Sequence, residues 1–229
     1  MAETPEYLSP GGKQVVKPGM TPCQQAQALN EKQFSHDAVK SLAHGLPEQK
    51  AVQWAGASAE KVASPAHKAD MEAILAAKAW AKNPTAETQK AASLAAAKTD
   101  FKTPGAWAAQ AAAFAGSGKG LTAHAVSGAV LLAAAQGGKP ISPPGAAAAA
   151  IKMEAPKLPG IAKPAAAGLQ ISSLKKPAVA APKVPQVPQA PQVPKLGPDG
   201  LNLTPAQRSE MAKNCEPFLK LGCQIGHTA

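Results

Sequence analysis

In five places along this chain, a helix-capping residue stands directly before a proline and precedes an Ala-rich or amphipathic run. The pairs are Thr21-Pro22, Ser64-Pro65, Asn83-Pro84, Thr103-Pro104 and Thr204-Pro205. A Ser, Thr or Asn side chain at the N-cap accepts a hydrogen bond from a backbone N–H of the first turn. Proline at the next position has no N–H to leave unsatisfied, and its φ is already helical. The pairs therefore predict five helix starts, and Gln24 and Gln207 add a capping box at two of them.

The composition favours helices over sheets. Alanine supplies 53 of the 229 residues, whereas Leu, Ile, Val and Phe together supply 38. Sandwiches and parallel α/β folds need many branched and aromatic side chains in their strands. We therefore expect an all-α fold, an array or bundle of seven to eight short antiparallel helices with a proline-rich disordered insertion before the last helix. The helices are predicted at residues 22–32, 36–44, 47–63, 65–82, 84–98, 104–115, 122–136 and 205–224.

The same patterns predict the domain organisation. We expect a disordered N-terminus over residues 1–16 and a discontinuous helical domain made of 17–136 plus 204–227. Residues 137–203 are predicted to be a Pro/Ala/Lys-rich linker, because they hold 13 prolines and only two acidic residues. Within that linker, prolines recur at every third position over residues 182–194, which is the period of a polyproline II helix.

Large apolar side chains are few, so their positions predict the core. We expect the three tryptophans, Trp54, Trp80 and Trp107, to be largely buried between helices. The last helix carries an apolar stripe at helical spacing, formed by Met211, Cys215, Phe218, Leu219 and Gly222. A lone helix of this composition is marginal in water, so we expect it to fold back onto the helices before the linker.

The net charge is +10, but only Arg208 among the 24 basic residues is an arginine. Lysine attracts polyanions, whereas direct reading of bases relies on the guanidinium fork. The excess charge falls mainly in residues 136–200, where eight lysines are sparse for neutralising phosphates. Nucleic-acid binding is therefore kept as the alternative function, behind protein binding.

No motif predicts catalysis. The string from Phe114 to Gly120 resembles a phosphate-binding loop, but Ala113 stands where that loop needs glycine and Gly120 where it needs Ser or Thr. The five histidines have no metal-ligand spacing; they are His36, His44, His67, His124 and His227. We therefore expect no enzyme, no catalytic, cofactor-binding or metal site and no cofactor, while the protein-binding residues are unknown.

Cysteine usage and hydropathy bear on the compartment. Cys215 and Cys223 fall eight residues apart on one predicted helix, about 12 Å along its axis and too far for a disulfide. With Cys23 they are expected to be three free thiols, which suits a reducing cytoplasm. The first ten residues lack the apolar core of a secretory signal, and the apolar run 121–135 is too short to span a bilayer. We expect a cytoplasmic protein.

Several strings of the chain resemble an uncharacterised bacterial family. In chain order they are Lys17-Pro-Gly-Met-Thr-Pro22, Ala38-Val-Lys-Ser-Leu-Ala-His-Gly-Leu-Pro47, Ala79-Trp-Ala-Lys-Asn-Pro84, Leu121-Thr-Ala-His-Ala-Val-Ser-Gly-Ala-Val130 and Phe218-Leu-Lys-Leu-Gly-Cys-Gln-Ile225. The family is catalogued as a domain of unknown function, and its members are often encoded near type VI secretion genes. It has no established activity, so the resemblance implies no catalytic residue.

Together these observations favour a non-catalytic accessory or adaptor protein associated with a type VI secretion cluster, acting by protein–protein binding. The expected partner is another protein, such as a type VI secretion component or effector. We expect no small-molecule cofactor and no membrane partner. The alternative is a basic, Lys/Ala/Pro-rich protein associated with nucleic acid.

Overall fold

The computed structural model of this chain describes residues 6–137 and 203–227. Within those ranges it contains nine α-helices and no strand, so the predicted all-α fold is confirmed. They are α1 (Pro10–Val15), α2 (Pro22–Glu31), α3 (Ser35–Gly45), α4 (Glu48–Val62), α5 (Lys68–Lys82), α6 (Ala86–Ala97), α7 (Pro104–Phe114), α8 (Lys119–Ala135) and α9 (Pro205–His227). The linker predicted over 137–203 lies, except for its two end residues, outside the described ranges.

Three of the five predicted caps open a helix. The Thr21 hydroxyl accepts from the Gln24 N–H, and the Gln24 side chain returns the bond to the Thr21 N–H. The same pair of bonds joins Thr204 and Gln207 at the start of α9. Thr103 caps α7 by accepting from the backbone N–H of the third helical residue. Each cap satisfies an N–H that has no partner within its own helix.

The other two pairs do not open a helix. Ser64 lies in a turn, and α5 begins at Lys68 after His67 as N-cap. Asn83 ends α5 rather than starting α6, because Thr85 and Thr88 form a reciprocal capping box two residues later. That box satisfies two backbone N–H groups, whereas a single cap satisfies one, so the later start prevails.

A sixth pair of the same kind, Ser9 followed by proline, opens α1. The Ser9 hydroxyl accepts from the Gly12 N–H and donates to the buried Asp37 carboxylate of α3. The Ser9 N–H donates to the same carboxylate over 3.2 Å. The expectation of disorder over residues 1–16 is therefore wrong for residues 6–16, which are fixed to α3 at this carboxylate.

The core is built mainly from alanines packed around a few larger side chains. Trp54 and Trp80 are buried, with 0% and 7% of their surface exposed, as predicted. Trp107 is only partly buried and packs against the core from its edge, so the prediction of its burial is confirmed only in part. Alanine side chains on α7 and α8 are almost all buried, which lets these helices approach closely.

Helix α9 packs against α2, α3, α4 and α8. Its buried side chains include Cys215, Phe218 and Leu219, which belong to the stripe seen in the sequence. Burying an apolar side chain of this size stabilises a fold by about 1.5–3 kcal/mol. The described residues therefore form one compact unit that includes the C-terminal helix.

Two of the three cysteines are bonded to each other, so the prediction of three free thiols is wrong. Cys23 in the first turn of α2 and Cys223 in α9 form a disulfide, with 5.6 Å between their Cα atoms. Helix spacing separates only the two cysteines of α9, whereas this bond joins residues 200 positions apart. Cys215 stays free and buried, and burial raises the pKa of its thiol to about 12.

Candidate protein-binding surface

The connection between α6 and α7 holds an aromatic side chain on strained backbone. Asp100 and Phe101 have φ angles of 52° and 54°, in the left-handed region that a bulky residue adopts only at an energetic cost. The Phe101 side chain is nevertheless 44% exposed. Backbone strain of this kind persists only where surrounding contacts hold it.

Those contacts come from Trp107 at the start of α7. Its indole N–H donates to the Phe101 carbonyl over 2.9 Å, and the two rings meet edge to face with their centroids 6.4 Å apart. This geometry is favourable for aromatic pairs. Trp107 therefore fixes both the backbone and the ring of Phe101.

The Trp107 side chain in turn packs against α8. A Cβ built on Gly128 would stand 3.1 Å from two ring atoms of Trp107, so the missing side chain makes room for the indole. The indole also meets the His124 ring edge to face, with ring centroids 6.3 Å apart. Since Gly128 and His124 are one helical turn apart, one face of α8 contacts the indole at two points.

Leu121 extends the same face of α8 by one further turn and is 50% exposed. We call the set Phe101, Trp107, Leu121 and His124 the aromatic surface. It combines two exposed apolar side chains, a half-buried indole and an exposed imidazole. Clusters of aromatic and apolar residues on a surface are typical of protein interfaces.

A second histidine lies beside this surface at the end of α3. The His44 ring stacks on Tyr7, with 3.9 Å between centroids and 3° between planes. Burial lowers the pKa of His44, and the positive charges of Lys40 and His124 lower it further. Burial also raises the pKa of Tyr7, against a hydrogen bond from Ser41. The stack is therefore favoured with both rings neutral.

The glycine-rich loop before α8 borders a surface cleft of about 530 Å³. The Glu48 carboxylate at the cleft accepts from the Gly116 N–H and from the Thr122 hydroxyl, each over 3.1 Å. A phosphate at this loop would need free backbone N–H groups, and the Gly116 N–H is already bonded to Glu48. The loop therefore holds the start of α4 against α8 through a carboxylate of the chain itself.

The five histidines are not brought together. His44 and His124 lie near each other, His67 is the N-cap of α5, and His227 is the last residue of α9. Within residues 6–137 and 203–227, no group of three His, Cys, Asp or Glu side chains could hold a metal ion. In the same ranges no helix has the length and hydropathy needed to cross a bilayer.

Comparison with known proteins identifies a family. A family of unknown function (DUF6931) matches residues 25–154, more than half of the chain. The matched span contains all four residues of the aromatic surface and neither cysteine of the disulfide. No curated protein matches the chain, and no solved structure matches it.

Proposed function

The chain belongs to the DUF6931 family of unknown function, and we propose that it is a non-catalytic protein-binding module whose partner docks on the aromatic surface. The observation that carries this proposal is Phe101, a bulky side chain held 44% exposed on backbone with positive φ. A conformation of this kind costs about 1–3 kcal/mol and tends to occur at functional positions. A loop with no function at this point could use glycine instead.

The chemistry of the aromatic surface supports a protein partner. Aromatic rings supply most of the binding energy in many protein interfaces, where they lie at the centre and polar groups lie at the rim. Phe101 and Leu121 offer apolar area, and Trp107 is already fixed by its hydrogen bond and by α8. A side chain fixed before binding loses little entropy when a partner arrives.

The partner that we propose is a component or effector of a type VI secretion system, and the protein would act as an accessory or adaptor. The support is the resemblance of the quoted strings to a family often encoded near such genes. A cytoplasmic location is part of the same proposal. It requires the Cys23–Cys223 bond to be open to reduction there, since the cytoplasm keeps most thiols reduced.

The test replaces Phe101 and Leu121 with serine and measures binding to each protein encoded beside this gene. Loss of a binding centre typically weakens an interface by about thirtyfold or more. Leu75→Ser is the matched control, because Leu75 is 59% exposed on α5 and belongs to no part of the aromatic surface. Unchanged binding by the double variant, or equal loss in the control, would overturn the proposal. Salt-dependent retention of the full chain on DNA would support the alternative instead.

A further inference from the structure

The disulfide joins the C-terminal helix α9 to α2. Cys23 is the second residue of α2, and Cys223 is near the end of α9. Both residues are partly exposed, so we expect a thiol from solution to reach the bond between them. Cys215 is buried, and its pKa of about 12 keeps it protonated, so it is no competing partner for exchange.

Apart from the disulfide, α9 is held by contacts that can form and break. Side chains of the described residues donate to its backbone carbonyls at three points: Asn30 to Ala212, Trp54 to Phe218 and Lys50 to Gly226. The bonds measure 3.0, 2.8 and 3.1 Å and are spread along the helix. All three donors belong to α2 and α4, which with α3 and α8 form the groove in which α9 lies.

The groove fits a particular helix. A Cβ on Gly222 would stand 2.7 Å from the Trp54 ring and 2.8 Å from Leu42, and one on Gly226 would stand 2.8 Å from Leu46. These distances are too short for any side chain larger than hydrogen unless a neighbour moves. The groove therefore selects a helix with glycines four residues apart.

The position of α9 in the chain makes it separable. The backbone connects α9 to α8 only through residues 136–204, so α9 can leave its groove without opening another helix. With the disulfide intact, the end of α9 near Cys223 stays beside α2 in every conformation. Once the disulfide is reduced, α9 can exchange between a docked and an undocked state.

We propose that the Cys23–Cys223 disulfide is a redox-controlled latch that decides whether α9 can leave the groove formed by α2, α3, α4 and α8. A dithiol reductant opens it. One thiolate of the reductant attacks a sulfur of the pair and forms a mixed disulfide, and its second thiol then displaces the cysteine. Two electrons and two protons pass from the dithiol to the pair, giving two cysteine thiols and an oxidised reductant. The proposal does not rest on the aromatic surface.

The first test is hydrogen–deuterium exchange of the full chain, oxidised and after dithiothreitol. We expect exchange in α9 to accelerate about tenfold or more on reduction, since local opening governs exchange, with recovery after reoxidation. Helix α7 is the internal control and should be unchanged. Equal α9 exchange in both states, or acceleration of α7 together with α9, would overturn the latch. Failure to find a Cys23–Cys223 cross-link in a non-reducing peptide map would do the same.

Cysteine variants and a peptide of α9 test the latch in two further ways. Cys23→Ser should show the fast α9 exchange of the reduced protein. Cys215→Ser is the matched control and should show the slow α9 exchange of the oxidised protein. A labelled peptide of residues 203–227, with its cysteines changed to serine, should bind the reduced full chain and not the oxidised one. The same peptide with Gly222→Leu should not bind either form. Equal binding of the first peptide to both forms, or to neither, would contradict the latch.

Discussion

The indole N–H of Trp54 donates a 2.8 Å hydrogen bond to the main-chain carbonyl of Phe218, 164 residues further along the chain. Trp54 has no exposed surface, so its polar atom can meet no water. A buried donor without a partner costs about 1–3 kcal/mol. The bond therefore makes α9 part of the core, because only α9 supplies this acceptor.

We expect Trp54→Phe to lower the free energy of unfolding by about 2–3 kcal/mol, because it removes the buried hydrogen bond and leaves a small cavity. Urea denaturation followed by circular dichroism measures the change. Trp107→Phe is the matched control, since its own hydrogen bond lies at the surface, and it should cost less than about 1 kcal/mol. An equal loss in both variants would contradict the burial of Trp54.

Gly222→Ala should destabilise the protein, because its Cβ would be forced against Trp54 and Leu42. Overpacking of this kind typically costs about 1–3 kcal/mol. Gly120→Ala is the control. It lies in α8 with nothing within 4 Å of a Cβ, so alanine should leave the melting temperature unchanged or raise it. Thermal melts of both variants decide the point.

Phe101→Gly should separate stability from binding. Glycine relieves a left-handed conformation that costs about 1–2 kcal/mol for a bulky residue, at the price of a more flexible unfolded chain. We expect the unfolding free energy to stay equal or rise by up to about 1 kcal/mol, while partner binding is lost. Asp100→Gly gives the same backbone relief and keeps the ring, so it should retain binding. A clear fall in stability for both would show that their φ angles carry no strain.

The stack of His44 on Tyr7 predicts a loss of stability in mild acid. Burial, with Lys40 and His124 nearby, holds the pKa of His44 below its usual value of 6.5. The folded protein therefore binds this proton less tightly than the unfolded chain does. The stabilisation is complete above the unfolded pKa and is lost as pH falls through that value to the lower folded pKa.

Thermal melts between about pH 7 and pH 5 test this prediction, across the ordinary range of histidine titration. His44→Phe keeps a ring on Tyr7 and removes the proton, so we expect its melting temperature to vary less over the same range. His124→Gln removes one of the charges that act on His44, and it should also reduce the dependence. An identical pH profile in His44→Phe and the wild type would contradict the assignment to His44.

Local sequence signals predicted most of the helices and the packing face of α9. Capping depends on residues three positions apart, so Thr21, Thr103 and Thr204 could be identified without the fold. The missed helix α1 carries the same signal at Ser9, followed by proline, and could have been found in the same way. Thr85 was missed because the Asn-Pro pair just before it appeared sufficient.

The features that bear on function depend on distant contacts and had no local signal. The bond of Cys23 to Cys223 requires the start of α2 to meet the end of α9, which no spacing along one helix reveals. The left-handed backbone of Phe101 contradicts the local preference of phenylalanine and is held by Trp107. Burial of a tryptophan likewise depends on what covers it, so Trp107 could not be told from Trp54 by sequence.

The side chains of Asn30, Lys50 and Trp54 all donate to main-chain oxygens of α9. A carbonyl is common to every amino acid, so this part of the attachment is indifferent to the side chains on the solvent face of α9. Glu210, Lys213, Glu216 and Lys220 all lie on exposed positions. Substitutions, dyes or affinity tags on that face should therefore leave the attachment of α9 intact. Gly222 and Gly226 tolerate no such change.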